Sequence, residues 1–158
     1  MPDQEQRVVK PGDYGKNFSL KDQNDVTFDL LENMGRRVLL SFHPLAWTAF
    51  CAGQMTSLER NVETFESLKT VAVGISVDSV PCKKAWADHL SIEETRLLCD
   101  FWPHGKVSQL YGLFRETNGF SERANVVVDE TMQVLFVKVY PVHSVPDIDE
   151  VIAFLKSL

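Results

Sequence analysis

Apolar and polar positions along the chain change period several times, and each change marks an element. Residues 17–20 and 26–30 alternate apolar and polar side chains around a polar turn, which predicts a β-hairpin. The runs 37–42 and 70–77 are almost continuously apolar, which is typical of buried parallel strands. Residues 96–99 form a shorter run of the same kind, so a third strand is predicted there.

Helical spacing of apolar residues separates these strands. After the first buried strand, one apolar face predicts a long helix that begins near Thr48 or Ala49. Its apolar face comprises Met55, Leu58, Val62, Phe65 and Leu68. Shorter helices are expected at 81–89 and at 106–111, the second one ended by Gly112. The apolar face of a final helix comprises Ile148, Val151, Ile152, Leu155 and Leu158.

A second hairpin is predicted from residues 124–129 and 133–140, which flank a short polar turn. The order of elements is thus a hairpin, three β-α units, a second hairpin and a helix. Parallel units that lead into an antiparallel hairpin indicate a thioredoxin-like α/β fold. We expect one domain over residues 1–158, with residues 1–15 as a tail.

Composition narrows the function classes. The chain has 158 residues and a formal net charge of -6, which argues against nucleic acid or an anionic membrane as a partner. No apolar run approaches the ~20 residues of a membrane span, and the polar start has no signal-peptide core. The three cysteines include no Cys-x-x-Cys pair, so neither a disulfide scaffold nor a zinc site is expected. We therefore expect a cytoplasmic protein in a reducing compartment.

The turn between the first buried strand and the long helix carries the candidate chemistry. Pro44 ends the strand, because proline cannot donate a ladder hydrogen bond. Cys51 then falls in the first helical turn, where free N–H groups and the positive end of the helix dipole stabilise a thiolate. This position favours a nucleophilic cysteine, although an inert buried thiol is the ordinary alternative.

The motif Pro44-x-x-x-Thr48-x-x-Cys51 resembles the Pro-x-x-x-Thr/Ser-x-x-Cys signature of peroxiredoxins, the AhpC/TSA family. The stretch 47–51 also resembles the Trp-Cys-x-x-Cys turn of thioredoxins, with Thr in the first Cys position. Residues 97–112 resemble the Leu-Leu-Ser-Asp-Phe-Trp-Pro-His-Gly run of the AhpE subgroup. The resemblance extends from about residue 13 to residue 158 and implies a thioredoxin-like fold with an N-terminal hairpin extension.

The resemblance assigns roles to residues of the turn. It implies that Cys51 attacks the O–O bond of a peroxide and becomes a sulfenic acid. Thr48 would orient the peroxide, Pro44 would shape the pocket and exclude water, and Arg123 would supply a cation beside the sulfur. His43 precedes Pro44 as in one-cysteine peroxiredoxins, where the imidazole lies close to the reactive sulfur. A histidine satisfied by local hydrogen bonds is the equally open alternative.

The chain departs from the family pattern at several positions. Ala49 and Ala52 replace the common Pro and Thr, and Gln54 replaces a Glu that can hold the arginine in place. The amide at Gln54 leaves the orientation of that arginine network open. Cys99 stands where Ser is common and is expected to be a buried structural thiol.

The sequence offers two routes for the regeneration of Cys51, a resolving cysteine or an external thiol. Cys82 lies in the first turn of the next predicted helix, on the active-site side of the sheet, and is a candidate resolving cysteine. In some peroxiredoxins the resolving cysteine lies about a turn and a half further along, so we favour one-cysteine turnover by an external thiol. A thioredoxin-like or glutaredoxin-like protein would supply that thiol.

The resemblance further implies a homodimer or larger homo-oligomer, and no metal, haem or flavin cofactor, since the sulfur itself is the redox centre. Two other functions use the same turn. A peroxide sensor or a holdase would need the same cysteine chemistry without turnover. A thiol–disulfide oxidoreductase would need a second cysteine where Thr48 stands, which counts against it.

Overall fold

The computed structural model describes residues 7–158. The strands are β1 (Ser19–Lys21), β2 (Thr27–Asp29), β3 (Arg37–Phe42), β4 (Thr70–Ser76), β5 (Arg96–Cys99), β6 (Phe114–Arg115), β7 (Phe120–Ser121), β8 (Arg123–Val128) and β9 (Val134–Tyr140). The helices are α1 (Ala49–Arg60), α2 (Val62–Ser67), α3 (Val80–Leu90), α4 (Lys106–Leu110) and α5 (Ile148–Lys156), and a 3-10 turn spans Leu31–Asn33.

A five-stranded sheet in the order β5-β4-β3-β8-β9 forms the centre of the fold. Strands β3, β4 and β5 run parallel, whereas β8 pairs antiparallel with both β3 and β9. Both predicted hairpins are present, as the pair β1-β2 and the pair β8-β9. The parallel units followed by an antiparallel hairpin and helix confirm the predicted α/β class.

Apolar side chains fill a core on each face of this sheet, which explains the continuous apolar runs of β3 and β4. Leu39 faces the core that contains Cys51 and Met55, whereas Leu40 faces the opposite core. Gly74 of β4 sets the distance between helix α1 and the sheet. A Cβ at Gly74 would collide with the sulfur of Met55, so glycine allows α1 to pack closely on the strand.

The predicted long helix is wrong in one respect, because it breaks at Asn61 into α1 and α2. Asn61 has non-helical torsion angles, φ −110° and ψ 16°, and its side-chain amide donates to the Ser57 carbonyl at 2.7 Å. That bond competes with the helical backbone pattern. Apolar spacing continues across the break, since Phe65 of α2 is still buried, so the periodicity could not reveal it.

One other expectation needs correction, and one element was missed. Leu158 lies beyond the end of α5 and is 54 % exposed, so the apolar face of that helix ends at Leu155. The short hairpin β6-β7 had no alternating pattern and was not predicted.

Part of the predicted tail lies outside the described residues, namely residues 1–6. Within residues 7–15, Val9 is buried and its N–H donates to the Tyr111 carbonyl at 3.2 Å, while Gly15 N–H donates to the Met132 carbonyl at 2.6 Å. This part of the chain is therefore packed against the fold. Among the described residues, no helix has the length and apolarity needed to cross a membrane.

Candidate active site

The candidate site lies where β3 and β4 end and α1 begins. Asp78, two residues past β4, accepts from the Ala46 N–H at 2.8 Å and from the Ser76 hydroxyl at 2.6 Å. The next residue, Trp47, has a positive φ of 68°, a conformation that costs a non-glycine residue roughly 1–3 kcal/mol. The Asp78 carboxylate thus ties the strained turn before α1 to the adjacent strand. Asp78 was not among the predicted site residues, although its position just after a buried parallel strand was an available signal.

Cys51 is the third residue of α1 and has no exposed surface. Arg123, the first residue of β8, is also buried, and its Nη1 donates to Cys51 Sγ at 3.3 Å. The remaining donors of this guanidinium bind the Val142 carbonyl, at 2.9 Å from Nε and 2.6 Å from Nη2. The arginine is therefore held from two sides with its charge directed at the sulfur.

Gln54 lies almost one turn beyond Cys51. Its contacts show how an amide, in place of the common Glu, orients the arginine. Its Oε1 accepts from Arg123 Nη1 at 2.8 Å. Its Nε2 donates to the Ser41 hydroxyl at 2.7 Å and to the Phe42 carbonyl at 3.0 Å. A carboxylate could hold the arginine but could not donate to that carbonyl. The amide therefore orients Arg123 and also ties α1 to the end of β3.

Polar contacts continue from Gln54 through the sheet. The Ser41 hydroxyl donates to Asn125 Oδ1 at 2.7 Å, and Asn125 Nδ2 lies 3.4 Å from the Tyr140 hydroxyl. The Tyr140 hydroxyl donates to Glu150 of α5 at 3.1 Å, and burial raises the pKa of Tyr140 to about 12. These buried polar groups satisfy one another, which fixes the strands behind Arg123.

Pro44 and Thr48, the two other residues of the motif, differ in their exposure. Pro44 is buried, whereas Thr48 is exposed and directly precedes α1. The Thr48 hydroxyl donates to the Leu45 carbonyl at 2.7 Å, and its oxygen accepts no capping hydrogen bond from an amide of α1. Its proton is therefore engaged, and its lone pairs can accept a hydrogen bond from solvent or a ligand.

His43 is fully buried, and both of its ring nitrogens have partners. Nδ1 lies 3.4 Å from the Ser41 carbonyl, and Nε2 lies 2.8 Å from Nζ of Lys83. Burial, together with the positive charge of Lys83, holds the pKa of His43 well below its usual range. The geometry matches a histidine satisfied by local hydrogen bonds. Sequence reasoning missed Lys83, because a lysine in a helical pattern normally indicates a solvated position.

The other two cysteines have different surroundings. Cys82 is half-buried in the first turn of α3, and its Sγ lies 3.7 Å from Asp78 Oδ1. Since Asp78 also binds Ala46, Cys82 is on the active-site side of the sheet, as expected. Burial and the Asp78 charge raise the pKa of Cys82. Cys99 is buried at the end of β5, where burial raises its pKa to about 12, and this confirms the expected buried thiol.

The segment between β9 and α5, residues 141–147, lies over the first turns of α1. It supplies the Val142 carbonyl to Arg123, packs Val145 against Gly53, and places His143 edge-on to Phe50 with ring centroids 5.9 Å apart. No sequence motif pointed to this segment. It contributes backbone and apolar contacts, which leave no chemical signature in the sequence.

The fold and site together define a thioredoxin-like protein in which one of two buried thiols lies at the start of a helix and is held by an arginine. Comparison with known proteins agrees with this class of protein. The model of the AhpC/TSA family matches residues 11–137. Alkyl hydroperoxide reductase E of Mycobacterium tuberculosis is 38% identical over 130 residues, which cover 82% of this chain and 84% of that protein.

Solved structures show the same architecture. Peroxidoxin BcpB from Mycobacterium tuberculosis matches with a TM-score of 0.84 and 25% identity, over 95% of this chain and 98% of that one. The mitochondrial 2-cys peroxiredoxin from Plasmodium falciparum matches with a TM-score of 0.85 and 23% identity, over 94% and 93% of the two chains, and shows the fold alone. The chain belongs to the AhpC/TSA family of peroxiredoxins, which are thiol-dependent peroxidases.

Proposed function

We propose that Cys51 is the nucleophile with which this chain reduces hydrogen peroxide or an organic hydroperoxide. The thiolate attacks one peroxide oxygen, the O–O bond breaks, and the sulfur keeps that oxygen as a sulfenic acid. The second oxygen leaves with the bonding electrons and takes a proton, as water or an alcohol. The observation that carries the proposal is the contact of 3.3 Å between Arg123 Nη1 and the buried Cys51 sulfur.

Arg123 serves this reaction in two ways. Its charge stabilises the thiolate before reaction, and its donors stabilise the negative charge that grows on the leaving oxygen. The backbone amides at the start of α1 act in the same direction. The Thr48 oxygen accepts a hydrogen bond from the peroxide O–H, since its own proton is used by the Leu45 carbonyl. Gln54 keeps the guanidinium oriented, as its bond of 2.8 Å indicates.

Pro44 and His43 form the inner wall of the site. Both side chains are buried, so they exclude water from the thiolate rather than bind the peroxide through exposed groups. Because Cys51 is itself fully buried, a peroxide reaches the sulfur only when covering side chains move. Phe50 and the 141–147 segment are the covering elements that pack on the start of α1.

Regeneration by an external thiol is the turnover that we propose. Cys82 is held next to Asp78, and its raised pKa leaves little thiolate to attack a sulfenic acid. A thiol of a thioredoxin-like or glutaredoxin-like protein then attacks the oxidised Cys51, forms a mixed disulfide and releases water. A second thiol of the reductant attacks that disulfide and releases Cys51 as a thiol. The name of the mycobacterial relative, alkyl hydroperoxide reductase E, supports an organic hydroperoxide as substrate.

We further propose a cytoplasmic, single-domain enzyme that forms a homodimer. The cysteines are unpaired, which agrees with a reducing compartment. Exposed apolar side chains lie at the edge of the sheet where the parallel strands end, and these favour a protein partner. They include Trp47, Phe101 and Trp102.

Peroxide consumption with an added thiol or thioredoxin tests the proposed function. We expect many turnovers per Cys51, and a difference in rate between hydrogen peroxide and an alkyl hydroperoxide at equal concentration. A single turnover that no thiol or thioredoxin can renew would instead identify a peroxide sensor or a holdase.

A further inference from the structure

Lys83 is a lysine with an unusual environment. Its side chain has no exposed surface, although the neighbouring Lys84 on the same helix is exposed and pairs with Asp88. Within residues 7–158, Lys83 forms no ion pair with a carboxylate. Its Nζ instead lies 2.8 Å from His43 Nε2 and 5.6 Å from the centroid of the Trp86 ring. Burial of an unpaired ammonium group costs free energy, so a lysine buried beside the active-site turn indicates a specific role.

The hydrogen bonds determine how the proton is shared between Lys83 and His43. His43 Nδ1 faces the Ser41 carbonyl, which can only accept, so Nδ1 carries the ring proton. Nε2 then has a lone pair, which accepts from the Lys83 ammonium. The pair therefore contains a neutral imidazole and a charged lysine. The low pKa of His43 and the lysine pKa of about 8 agree with this assignment near neutral pH.

His43 is also firmly connected to the site. Its carbonyl accepts from the Ser121 hydroxyl at 3.1 Å, and the preceding carbonyl, of Phe42, accepts from Gln54 at 3.0 Å. The ring stacks on Trp86 at 5.6 Å between centroids, within the same core as Cys51. The charged lysine is therefore held at a fixed place beside His43, at the start of the turn that leads to Cys51.

Several titratable groups face the Lys83 ammonium. Burial lowers the pKa of Lys83 to about 8, whereas nearby negative charge raises it. The Asp78 carboxylate contributes most of that charge, followed by the thiols of Cys99, Cys51 and Cys82 when they ionise. The groups around Lys83 and its His43 partner are Asp78, Cys51, Cys82, Cys99 and Arg123. Since Gln54 is neutral, the amide that orients Arg123 brings no negative charge to offset these two cations.

We propose that Lys83 is a positioning residue of the peroxidatic site, which fixes His43 as the neutral Nδ1–H tautomer and adds a second buried positive charge that stabilises the Cys51 thiolate. The inference rests on the proposed role of Cys51. It assigns to Lys83, rather than to His43, the cationic function on this side of the pocket. The imidazole acts as a spacer whose orientation the lysine maintains.

The pH dependence of Cys51 alkylation by iodoacetamide, resolved by peptide mass spectrometry, tests the proposal in the absence of peroxide. We expect Lys83→Met to move the alkylation midpoint of Cys51 upward by about one pH unit, which is about tenfold less thiolate at low pH. The peroxide rate should fall by a similar factor at pH 6 and recover towards wild type at pH 9. The matched control Lys84→Met removes one charge from the same helix and should leave both profiles unchanged.

An alkylation midpoint for Lys83→Met that equals that of Lys84→Met would overturn the proposal. A purely structural defect would lower the rate equally at all pH values, which the recovery at pH 9 distinguishes. If Lys83→Met does not fold, NMR of the wild-type imidazole decides. A neutral Nδ1–H tautomer of His43 at pH 7 supports the proposal, whereas an Nε2–H tautomer or an imidazolium contradicts it. Persistent peroxidase turnover in Cys51→Ser would instead refute the proposed function, whatever the alkylation profiles show.

Discussion

Cys51 and Cys99 are both buried thiols at the end of the parallel sheet from which the active-site turn emerges, yet their surroundings are opposite. Cys51 lies in the first turn of a helix with the Arg123 guanidinium at 3.3 Å. Cys99 ends a strand, and its sulfur has only the Leu97 carbonyl at 3.8 Å as a hydrogen-bond partner. Burial raises the Cys99 pKa to about 12, so that thiol stays protonated. Burial alone therefore keeps a thiol protonated, and an adjacent cation that donates a hydrogen bond distinguishes the site proposed to be reactive.

Cys82 shows that a position at a helix start is not sufficient to lower the pKa of a thiol. It occupies the first turn of α3, as Cys51 occupies the first turn of α1, but its nearest polar partner is the Asp78 carboxylate at 3.7 Å. Negative charge and burial raise its pKa. The three cysteines thus differ in the group that hydrogen-bonds their sulfur, which is a cation for Cys51, a carboxylate for Cys82 and a carbonyl for Cys99.

The largest effect is expected when the two buried thiols are replaced separately. Cys51→Ser should abolish peroxidase activity while the protein stays folded, because a serine hydroxyl is barely ionised near neutral pH. Cys99→Ser should retain most of the activity. Initial rates of peroxide consumption, with circular dichroism to verify folding, provide the measurement. Activity of Cys51→Ser above a few per cent of wild type would place the nucleophile elsewhere.

Arg123→Ala should have the next largest effect, since it removes the cation that distinguishes Cys51 from Cys99. We expect the second-order rate constant with peroxide to fall, because the variant loses roughly 2–4 kcal/mol of transition-state stabilisation, the scale for a preorganised donor. The pH midpoint of Cys51 alkylation should rise. Arg115→Ala, which changes a partly exposed arginine on β6, serves as the control. A loss smaller than about threefold with unchanged alkylation would make Arg123 structural.

Gln54→Leu should weaken the same charge indirectly. The variant keeps side-chain volume but removes the acceptor at 2.8 Å from Arg123 Nη1, which retains only the Cys51 sulfur, and leaves the Phe42 carbonyl without its side-chain donor. An unsatisfied buried polar group costs about 1–3 kcal/mol of stability. We expect the peroxide rate to fall less than in Arg123→Ala. Stopped-flow rates and thermal unfolding measure the two effects. A rate equal to wild type would show that Val142 alone orients the guanidinium.

Cys82→Ser tests whether the second cysteine at a helix start takes part in turnover. With its sulfur next to Asp78, we expect steady-state turnover with an external thiol to remain nearly intact. Non-reducing peptide mapping of the wild type after peroxide treatment provides the complementary measurement. A stoichiometric Cys51–Cys82 disulfide, together with lost turnover in Cys82→Ser, would establish a two-cysteine mechanism.

The smallest expected effect concerns the inert thiol. Cys99 has a pKa of about 12 in the fold against 9.0 for a free thiol, so its contribution to stability is full below pH 9 and is lost as pH rises towards 12. Relative to Cys99→Ser, wild type should therefore lose about 1–1.5 kcal/mol of unfolding free energy between pH 7 and pH 10. Urea unfolding at both pH values measures this difference. Equal losses in the two proteins would mean that Cys99 is not desolvated.

Local patterns predicted the elements well, because strands β3 and β4 are buried on both faces and Cys51 falls at a recognisable strand-to-helix turn. Contacts that depend on tertiary packing were harder to predict from the sequence. The break at Asn61 leaves the apolar spacing intact, and the buried state of Lys83 depends on His43, 40 residues earlier. The donor role of Gln54 arises because α1 lies over the end of β3, a relationship that a motif of residue types does not contain.

The most direct measurement treats the reduced native protein with one equivalent of hydrogen peroxide, traps sulfenic acid with dimedone and maps the label by peptide mass spectrometry. We expect stoichiometric label on Cys51, with Cys82 and Cys99 unmodified. Label on Cys82 or Cys99 instead of Cys51, or rapid peroxide loss that leaves Cys51 as a free thiol, would contradict the conclusion that charge beside a buried thiol defines this site.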